Sequence, residues 1–142
     1  MSKGNTFEND ILKLIFNGTA IADLAENDSS SPLTDLYLAL HTADPGEGGS
    51  QTTSECAYTS YARVAVARTS GGFTVSGNSV SPAANVDFPT CTGGTETATH
   101  ASIGTASSGA GKILYKGALT PNISISTGVT PRIGSTSTIT ED

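Results

Sequence analysis

Four residues in this sequence carry side chains suited to metal binding or acid–base chemistry: His41, Cys56, Cys91 and His100. Imidazole and thiolate groups hold structural zinc, and a histidine beside a nucleophile acts as a general base. Structural zinc sites use closely spaced ligand pairs, whereas these four residues are dispersed along the chain. Neither histidine lies near a recognisable nucleophile motif. We therefore interpret the histidines as local hydrogen-bonding groups, and we predict no catalytic residue, no metal ligand and no cofactor.

The two cysteines have two interpretations. A disulfide or a paired metal site requires Cys56 and Cys91 to meet in space, which nothing in the sequence indicates. The thiols of a chain that folds in a bacterial cytoplasm are expected to stay reduced. We favour two small residues that are buried or lie in loops.

The glycine-rich segment 104–112 (GTASSGAGK) is similar to a phosphate-binding loop. A P-loop places G-K-S/T at the start of a helix, so that amides, lysine and hydroxyl converge on phosphates and magnesium. Here Ala110 and Gly111 intervene before Lys112, Ile113 replaces the hydroxyl residue, and a strand pattern follows. The segment is therefore predicted to be a flexible hairpin loop.

An acidic, glycine-rich loop at 44–55 follows the apolar segment 36–41 (LYLALH), which fits a strand covered on both faces. The three carboxylates of the loop belong to the ligand type that calcium prefers, but their spacing does not reproduce an EF-hand. Long loops in compact domains tend to carry function or contacts. We predict a solvated or partner-facing loop. Its candidate partner contacts are Asp44, Pro45, Glu47 and Glu55.

The segment 61–68 (YARVAVAR) after this loop alternates at period two. The pattern predicts a strand with Ala62, Val64 and Val66 facing a core and with Arg63 on the opposite face. Further short alternating segments separated by turn residues follow, which makes about eight strands. No helical crossovers separate them, so a parallel sheet is not expected.

A helix is predicted at 5–17. Asn5 is placed to cap it, Glu8 follows three positions later, and Gly18 is placed to end it. The predicted apolar stripe consists of Phe7, Ile11, Leu14 and Ile15.

The apolar stripe of this helix either packs across an open end of the β-core or docks on a neighbouring subunit. We favour internal packing and keep Phe7 and Ile11 as candidate partner contacts. A second helical turn at 20–25 and a polar linker at 27–32 are expected to follow the helix.

The composition limits both fold and partners. Of the 142 residues only 14% are charged, and the formal net charge is −6. Threonine favours strands, while serine and glycine favour turns. An acidic chain with scattered basic residues is unsuited to phosphate backbones, so we predict no nucleic-acid partner. No segment approaches the roughly 20 apolar residues of a membrane span, so we predict no membrane association.

These patterns together predict an all-β fold, a jelly-roll-like antiparallel sandwich of about eight short strands with an N-terminal helix. Residues 1–31 are expected to form a helical segment and linker packed on the core. Residues 32–142 are expected to form the β-sandwich, within a single domain. The aromatic residues are interpreted as core or rim positions in preference to an exposed binding strip. They include Tyr58, Tyr61, Phe73 and Phe88.

Long segments of the chain also resemble a family of small virion proteins from tailed bacteriophages. The resemblance lies in LYLALHTADPGE (36–47), AYTSYARVAVART (57–69) and GFTVSGNSVSPAANVDFP (72–89). It continues through 98–119 and the C-terminal TITED, so it covers nearly the whole chain. Proteins of this family are often labelled tail fibre proteins, and the resemblance also implies capsid decoration or cement subunits. No enzymatic residue is associated with the pattern.

The leading hypothesis is a capsid decoration or cement protein that bridges and stabilises major capsid subunits as a homodimer or homotrimer. The alternative within the same particle is a tail fibre or baseplate accessory protein that contacts the host surface. A hydrolase or metal enzyme is the remote alternative. The expected partners are the major capsid protein or other virion subunits. The expected location is the virion, assembled in the bacterial host cytoplasm.

Overall fold

The computed structural model describes residues 5–21 and 32–141 of the chain. The side chains of Asn5 and of Phe7, a predicted partner contact, lie outside the described residues. So does most of the helical turn and linker predicted at 20–32.

The described residues form one helix and nine strands. Helix α1 spans Asn5–Asn17, as predicted. The strands in chain order are β1 (Asp35–His41), β2 (Val64–Ala67), β3 (Phe73–Ser76), β4 (Ser79–Pro82), β5 (Val86–Asp87), β6 (Thr95–Gly104), β7 (Ile113–Ser126), β8 (Arg132–Ile133) and β9 (Ile139–Thr140). They form sheets ordered β2-β1-β6-β7, β3-β4-β9 and β5-β8, with antiparallel pairing of β1 with β6, β6 with β7, and β4 with both β3 and β9. The prediction of an all-β fold with an N-terminal helix is confirmed.

The chain divides into two compact units. Unit 1 comprises Met1–Asp35, Val66–Val86 and Gly134–Asp142. Unit 2 comprises Leu36–Ala65 and Asp87–Ile133. Each unit is assembled from stretches that are distant in sequence, and α1 shares unit 1 with β3, β4 and β9. The single sandwich behind an N-terminal segment stays a prediction.

Strand β1 is buried along both of its faces, as its continuous hydrophobicity predicted. The side chains that are at most 3% exposed are Leu36, Leu38, Ala39, Leu40 and His41. Strand β1 pairs with β6 in a register that sets His41 opposite His100. Residues directly opposite each other share a face of the sheet, so both imidazoles lie on one side of it.

Strand β2 is shorter than the predicted strand at 61–68. Val64 and Val66 are half-buried while the alanines beside them are exposed, so the predicted alternation holds within β2. Outside β2 the prediction was wrong, because Ala62 is exposed and the Arg63 side chain is only 2% exposed. Residues 61–63 precede the strand, so the strand's alternation of faces does not extend to them.

Strand β7 is the outer strand of its sheet and is interrupted on the side that pairs with β6. The register shifts between Ala98 and His100, opposite residues 119–122 of β7. Pro121 lies within this stretch and has no N–H to donate to a ladder. A smaller shift lies at Leu114. Irregularities of this kind bend an edge strand and re-aim its side chains.

Helix α1 packs against β3 and β4 within unit 1. Its buried face is formed by Glu8, Leu12 and Phe16, which are 5%, 0% and 0% exposed. The predicted phase of the stripe was therefore wrong. The apolar arc of this helix is broad and also contains Leu12 and Phe16, and these two are its buried apolar residues. Of the predicted stripe, the half-buried members are Ile11, Leu14 and Ile15. Ile11 stays only a predicted partner contact.

The C-terminal end of α1 is closed by backbone and side-chain hydrogen bonds. Gly18 has a φ of 64°, and the Thr19 N–H donates to the Lys13 carbonyl at 3.1 Å. The Arg68 Nε donates to the Ile15 carbonyl at 2.6 Å. Gly18 ends the helix as predicted, because glycine adopts the left-handed conformation at little cost. The cationic Arg68 also suits the negative end of the helix dipole.

Candidate interaction surface

His41, at the end of β1, holds the 44–55 loop to the sheet. Its Nδ1 lies 2.9 Å from the Thr53 carbonyl oxygen, and its Nε2 lies 2.8 Å from the Ser102 hydroxyl. Burial lowers the pKa of His41, which favours the neutral ring. A neutral ring that donates from Nδ1 and accepts at Nε2 satisfies both contacts. The predicted local hydrogen-bonding role of His41 is confirmed.

Gln51 fills a space beneath the same loop and is fully buried. Its Nε2 donates to the Tyr37 carbonyl at 3.2 Å, and its Oε1 accepts from the Ala106 N–H at 3.0 Å. A Cβ added at Gly104 or Gly111 would come within 2.2 Å or 2.1 Å of the Gln51 side chain. These two glycines of the phosphate-loop-like segment therefore make room for a glutamine.

Arg63 and Glu55 form an enclosed ion pair at the end of the loop. Arg63 Nε lies 2.7 Å from Glu55 Oε1, and Nη2 lies 2.8 Å from Oε2. Arg63 also donates to the carbonyls of Ala106 and Gly109 at 2.9 Å and 2.8 Å, and the Tyr61 hydroxyl donates to Glu55 at 3.0 Å. The Glu55 carboxylate raises the pKa of Arg63. This bidentate pair joins three segments of unit 2.

Residues 44–49 form what we call the tip of the loop, and here Asp44 pairs with Lys116 of β7. Lys116 Nζ lies 2.9 Å from Asp44 Oδ1, which also accepts from the Gly46 N–H at 2.8 Å. The Gly46 N–H and the Lys116 ammonium hold the pKa of Asp44 below its usual range. The Asp44 side chain is 51% exposed, so this pair positions the loop more than it stabilises the fold.

A cleft of about 300 Å³ lies between the loop tip and β7. We call it the edge cleft; it is lined by Gly46, Glu47, Ile113, Leu114, Tyr115 and Lys116. Tyr115 is opposite Ile103 and Lys116 is opposite Ser102, so these two consecutive side chains leave opposite faces of the sheet. Because both line the cleft, it follows the edge of the strand and not one face of the sheet.

The structure divides the predicted contacts of the loop into two groups. Asp44 and Glu47 are exposed at its tip. Pro45 is buried, and the Glu55 side chain is 16% exposed with both oxygens bonded to Arg63. Pro45 and Glu55, which were chosen as partner contacts for their expected exposure, are therefore less exposed than expected. As partner contacts, all four residues stay predictions.

The other residues with reactive side chains lie inside the fold. His41 and Ser102 form a serine–histidine pair, but they are 0% and 2% exposed, so a substrate does not reach them. Cys56 and Cys91 are buried free thiols, as the preferred interpretation held, and burial raises the pKa of Cys56 to about 12. Within residues 5–21 and 32–141, no group of three or more His, Cys, Asp or Glu side chains is arranged to hold a metal ion.

Two further interpretations are supported by the positions of the residues. The segment 104–112 joins β6 to β7, as a hairpin loop does. Three of the aromatic residues considered for a binding strip are core residues, since Tyr58, Phe73 and Phe88 are 4%, 1% and 1% exposed.

No helix in the described part of the chain is long and apolar enough to cross a bilayer.

Gln51 and Lys116 are the residues of this surface that the sequence did not reveal. Gln51 lies among polar loop residues, and nothing local distinguishes it from its exposed neighbour Thr52. Lys116 belongs to an alternating strand pattern, which gives its face but not its partner Asp44. For Gln51, the sequence signal was the pair of glycines at 104 and 111, because a glycine can mark a place where another group approaches the backbone closely.

Replacing Gly49 with alanine is expected to lower the free energy of unfolding by about 1–3 kcal/mol. An added Cβ would lie 2.0 Å from the Pro45 carbonyl oxygen, a backbone atom that cannot rotate away. Gly48→Ala is the matched control, because a Cβ there meets nothing within 4 Å. Urea denaturation of both variants measures the difference, and equal losses would show that the loop tip is not packed as described.

The stability of the protein is expected to fall as the pH drops below about 6.5, the ordinary pKa of histidine. The folded-state pKa of His41 is lowered, so the unfolded chain binds the proton first. Stability is then fully present above 6.5 and declines on acidification until the folded pKa is passed. Denaturant titrations at pH 7.5 and 5.5 measure this slope. A His41→Gln variant with an unchanged slope would contradict the assignment.

Comparison with known proteins identifies the family. The model of one protein family, described as podophage GP4 fiber I protein gp80, matches residues 2–140. No curated protein matches the sequence significantly. The family match agrees with the resemblance to tail fibre proteins noted from the sequence, and it covers both compact units. The chain therefore belongs to the podophage GP4 fiber I protein gp80 family and is a structural protein of the phage virion.

Proposed function

We propose that the protein is a fibre subunit of the phage particle that acts by binding neighbouring virion proteins. The observation that carries this proposal is the family match over residues 2–140, which includes every described strand.

The geometry of unit 2 supports a binding role. Buried polar anchors at His41, Gln51 and Arg63 hold the base of the 44–55 loop, and the Asp44–Lys116 pair holds its tip. A loop fixed in this way presents its exposed carboxylates with little ordering cost on binding. Binding by preformed shape requires no reactive group at the surface.

Capsid decoration is the second candidate function, and two observations favour it. The helix within the described residues spans only Asn5–Asn17, so these residues include no long coiled-coil stalk of the kind many fibres use. The net charge of −6 suits docking on a basic patch of the major capsid protein. A homodimeric or homotrimeric cement would stabilise the shell by binding only assembled neighbours.

Deletion of the gene separates the two functions. For a fibre subunit, particle reconstructions are expected to lose density at the tail while the temperature of genome release stays unchanged. For a cement protein, density is lost from the head and release occurs at a lower temperature. Particles complemented with the gene on a plasmid are the control. Particles that never contained the protein would refute both functions.

A further inference from the structure

The His41 ring lies between strand β6 and the 44–55 loop, and it is 0% exposed. Its Nε2 contacts the Ser102 hydroxyl of β6, and its Nδ1 contacts the Thr53 carbonyl of the loop. The β6 side is fixed by the continuous backbone ladder between β1 and β6. Displacing the Thr53 end of the loop therefore exposes the ring to water at a lower cost than breaking the ladder.

The Thr53 end of the loop is tied to the rest of unit 2 by isolated backbone hydrogen bonds and not by a ladder. The Thr42 N–H donates to the Ser54 carbonyl at 2.8 Å, and the Gln51 N–H donates to the Gly111 carbonyl at 2.9 Å. Loop segments that are held in this way open locally at a lower free energy than the whole fold. The loop is therefore expected to open while the sheet beneath it stays paired.

The groups around His41 make the closed loop a poor environment for a charged ring. Burial lowers the pKa of His41 most strongly, and the positive charges of Arg63 and His100 lower it further. The Thr53 carbonyl and the Glu55 carboxylate act in the opposite direction. Because a charge is stabilised by water, an imidazolium favours the form of the loop in which the ring is hydrated.

We propose that His41 is an acid-sensitive anchor, whose protonation opens the Thr53 end of the 44–55 loop while the rest of unit 2 stays folded. The other polar anchors of the loop base do not respond to acid between pH 7.5 and 5.5, because Gln51 does not titrate and Arg63 keeps its charge. The loop is then fixed near neutral pH and gains freedom in acid. The device depends on contacts within one chain, so it is independent of the proposed virion function.

Hydrogen exchange of the Thr42 and Gln51 amides tests this device, because both amides are bonded across the opening. After correction for intrinsic exchange rates, their protection factors are expected to fall about fivefold to tenfold from pH 7.5 to 5.5. One histidine with a pKa near 6.5 in the open loop, and uncharged in the closed loop, gives a change of this size.

Low concentrations of urea separate local opening from global unfolding. At pH 5.5 the exchange of both amides is expected to be insensitive to urea, since opening of a loop exposes little surface. Unchanged protection between the two pH values overturns the proposal. So does exchange that accelerates with urea as steeply as global unfolding followed by circular dichroism.

Two histidine variants identify the group that responds to acid. His41→Gln is expected to remove the pH dependence of exchange, because glutamine does not titrate. His100→Gln is the matched control, since His100 is half-buried and lies opposite His41, and it is expected to keep the fall in protection. A fall that survives in His41→Gln, or one that is lost in His100→Gln, contradicts the role of His41. If His41→Gln does not fold, the urea dependence of the unsubstituted protein still decides between local and global opening.

Discussion

The Arg63→Met variant is expected to unfold with a free energy about 3–5 kcal/mol below that of the unsubstituted protein. The Arg63 side chain is 2% exposed and its Glu55 partner is 16% exposed, so the substitution leaves a carboxylate in a poorly solvated place. It also removes the donors to the carbonyls of Ala106 and Gly109. Leaving buried polar groups without partners costs more than the net value of the bonds that they formed. Urea denaturation followed by circular dichroism measures the loss.

Two controls decide whether this loss comes from the enclosed ion pair. Arg132→Met removes a guanidinium from a similar bidentate pair with Asp87, but those side chains are 56% and 45% exposed. Its effect is expected to be much smaller, because water solvates the remaining carboxylate. The double substitution Glu55→Gln with Arg63→Met is expected to recover part of the loss. If Arg63→Met and Arg132→Met were equally destabilising, the Arg63–Glu55 pair would not be the anchor described.

Truncation of Phe73 to alanine is expected to cost about 3–5 kcal/mol of stability. Phe73 is 1% exposed, and its ring packs edge-on against Phe16 with a centroid distance of 4.9 Å. Phe16 belongs to α1, so this contact joins the helix to β3 within unit 1. The substitution leaves a cavity and removes the aromatic contact that holds the helix. Thermal or urea unfolding measures the effect.

A double-mutant cycle with Phe16→Ala completes this test. The sum of the losses in unfolding free energy of the two single variants is expected to exceed the loss of the double variant by about 0.5–1.5 kcal/mol. This difference is the coupling energy of an edge-to-face aromatic pair. Leu33→Ala is the control, since the Leu33 side chain is 45% exposed and its removal is expected to change stability by about 0.5 kcal/mol or less. Strict additivity of the two phenylalanine substitutions would show that the rings are not in contact.

Local pattern was sufficient for much of the fold. The helix at 5–17, its end at Gly18 and the doubly covered strand β1 were all predicted, because each depends on spacing within a few residues. The phase of the helix was predicted less well. A helix with apolar residues around a wide arc does not indicate which of them faces the sheet, and in the structure Leu12 and Phe16 do.

The sequence indicated where the 44–55 loop lies but not which contacts hold it. The 44–55 loop was recognised from its length and its turn residues, and Glu47 is exposed as expected. Burial of Glu55 was missed, because a carboxylate in a glycine-rich loop is indistinguishable from a solvated one until its cation is located. That cation, Arg63, was itself assigned to an outer face by extending the alternation of β2 beyond its first residue.

The sequence by itself determined the bounds of α1, its end at Gly18 and the burial of β1 on both faces, because these depend on neighbouring residues. Similarity along nearly the whole chain determined the membership of a phage structural family. Only the tertiary structure decided which polar groups are enclosed and where the edge cleft lies. Gln51 meets Gly104 and Gly111, and Asp44 meets Lys116, across long separations in the chain. Strand order and register bring such residues side by side, and no local sequence pattern relates them.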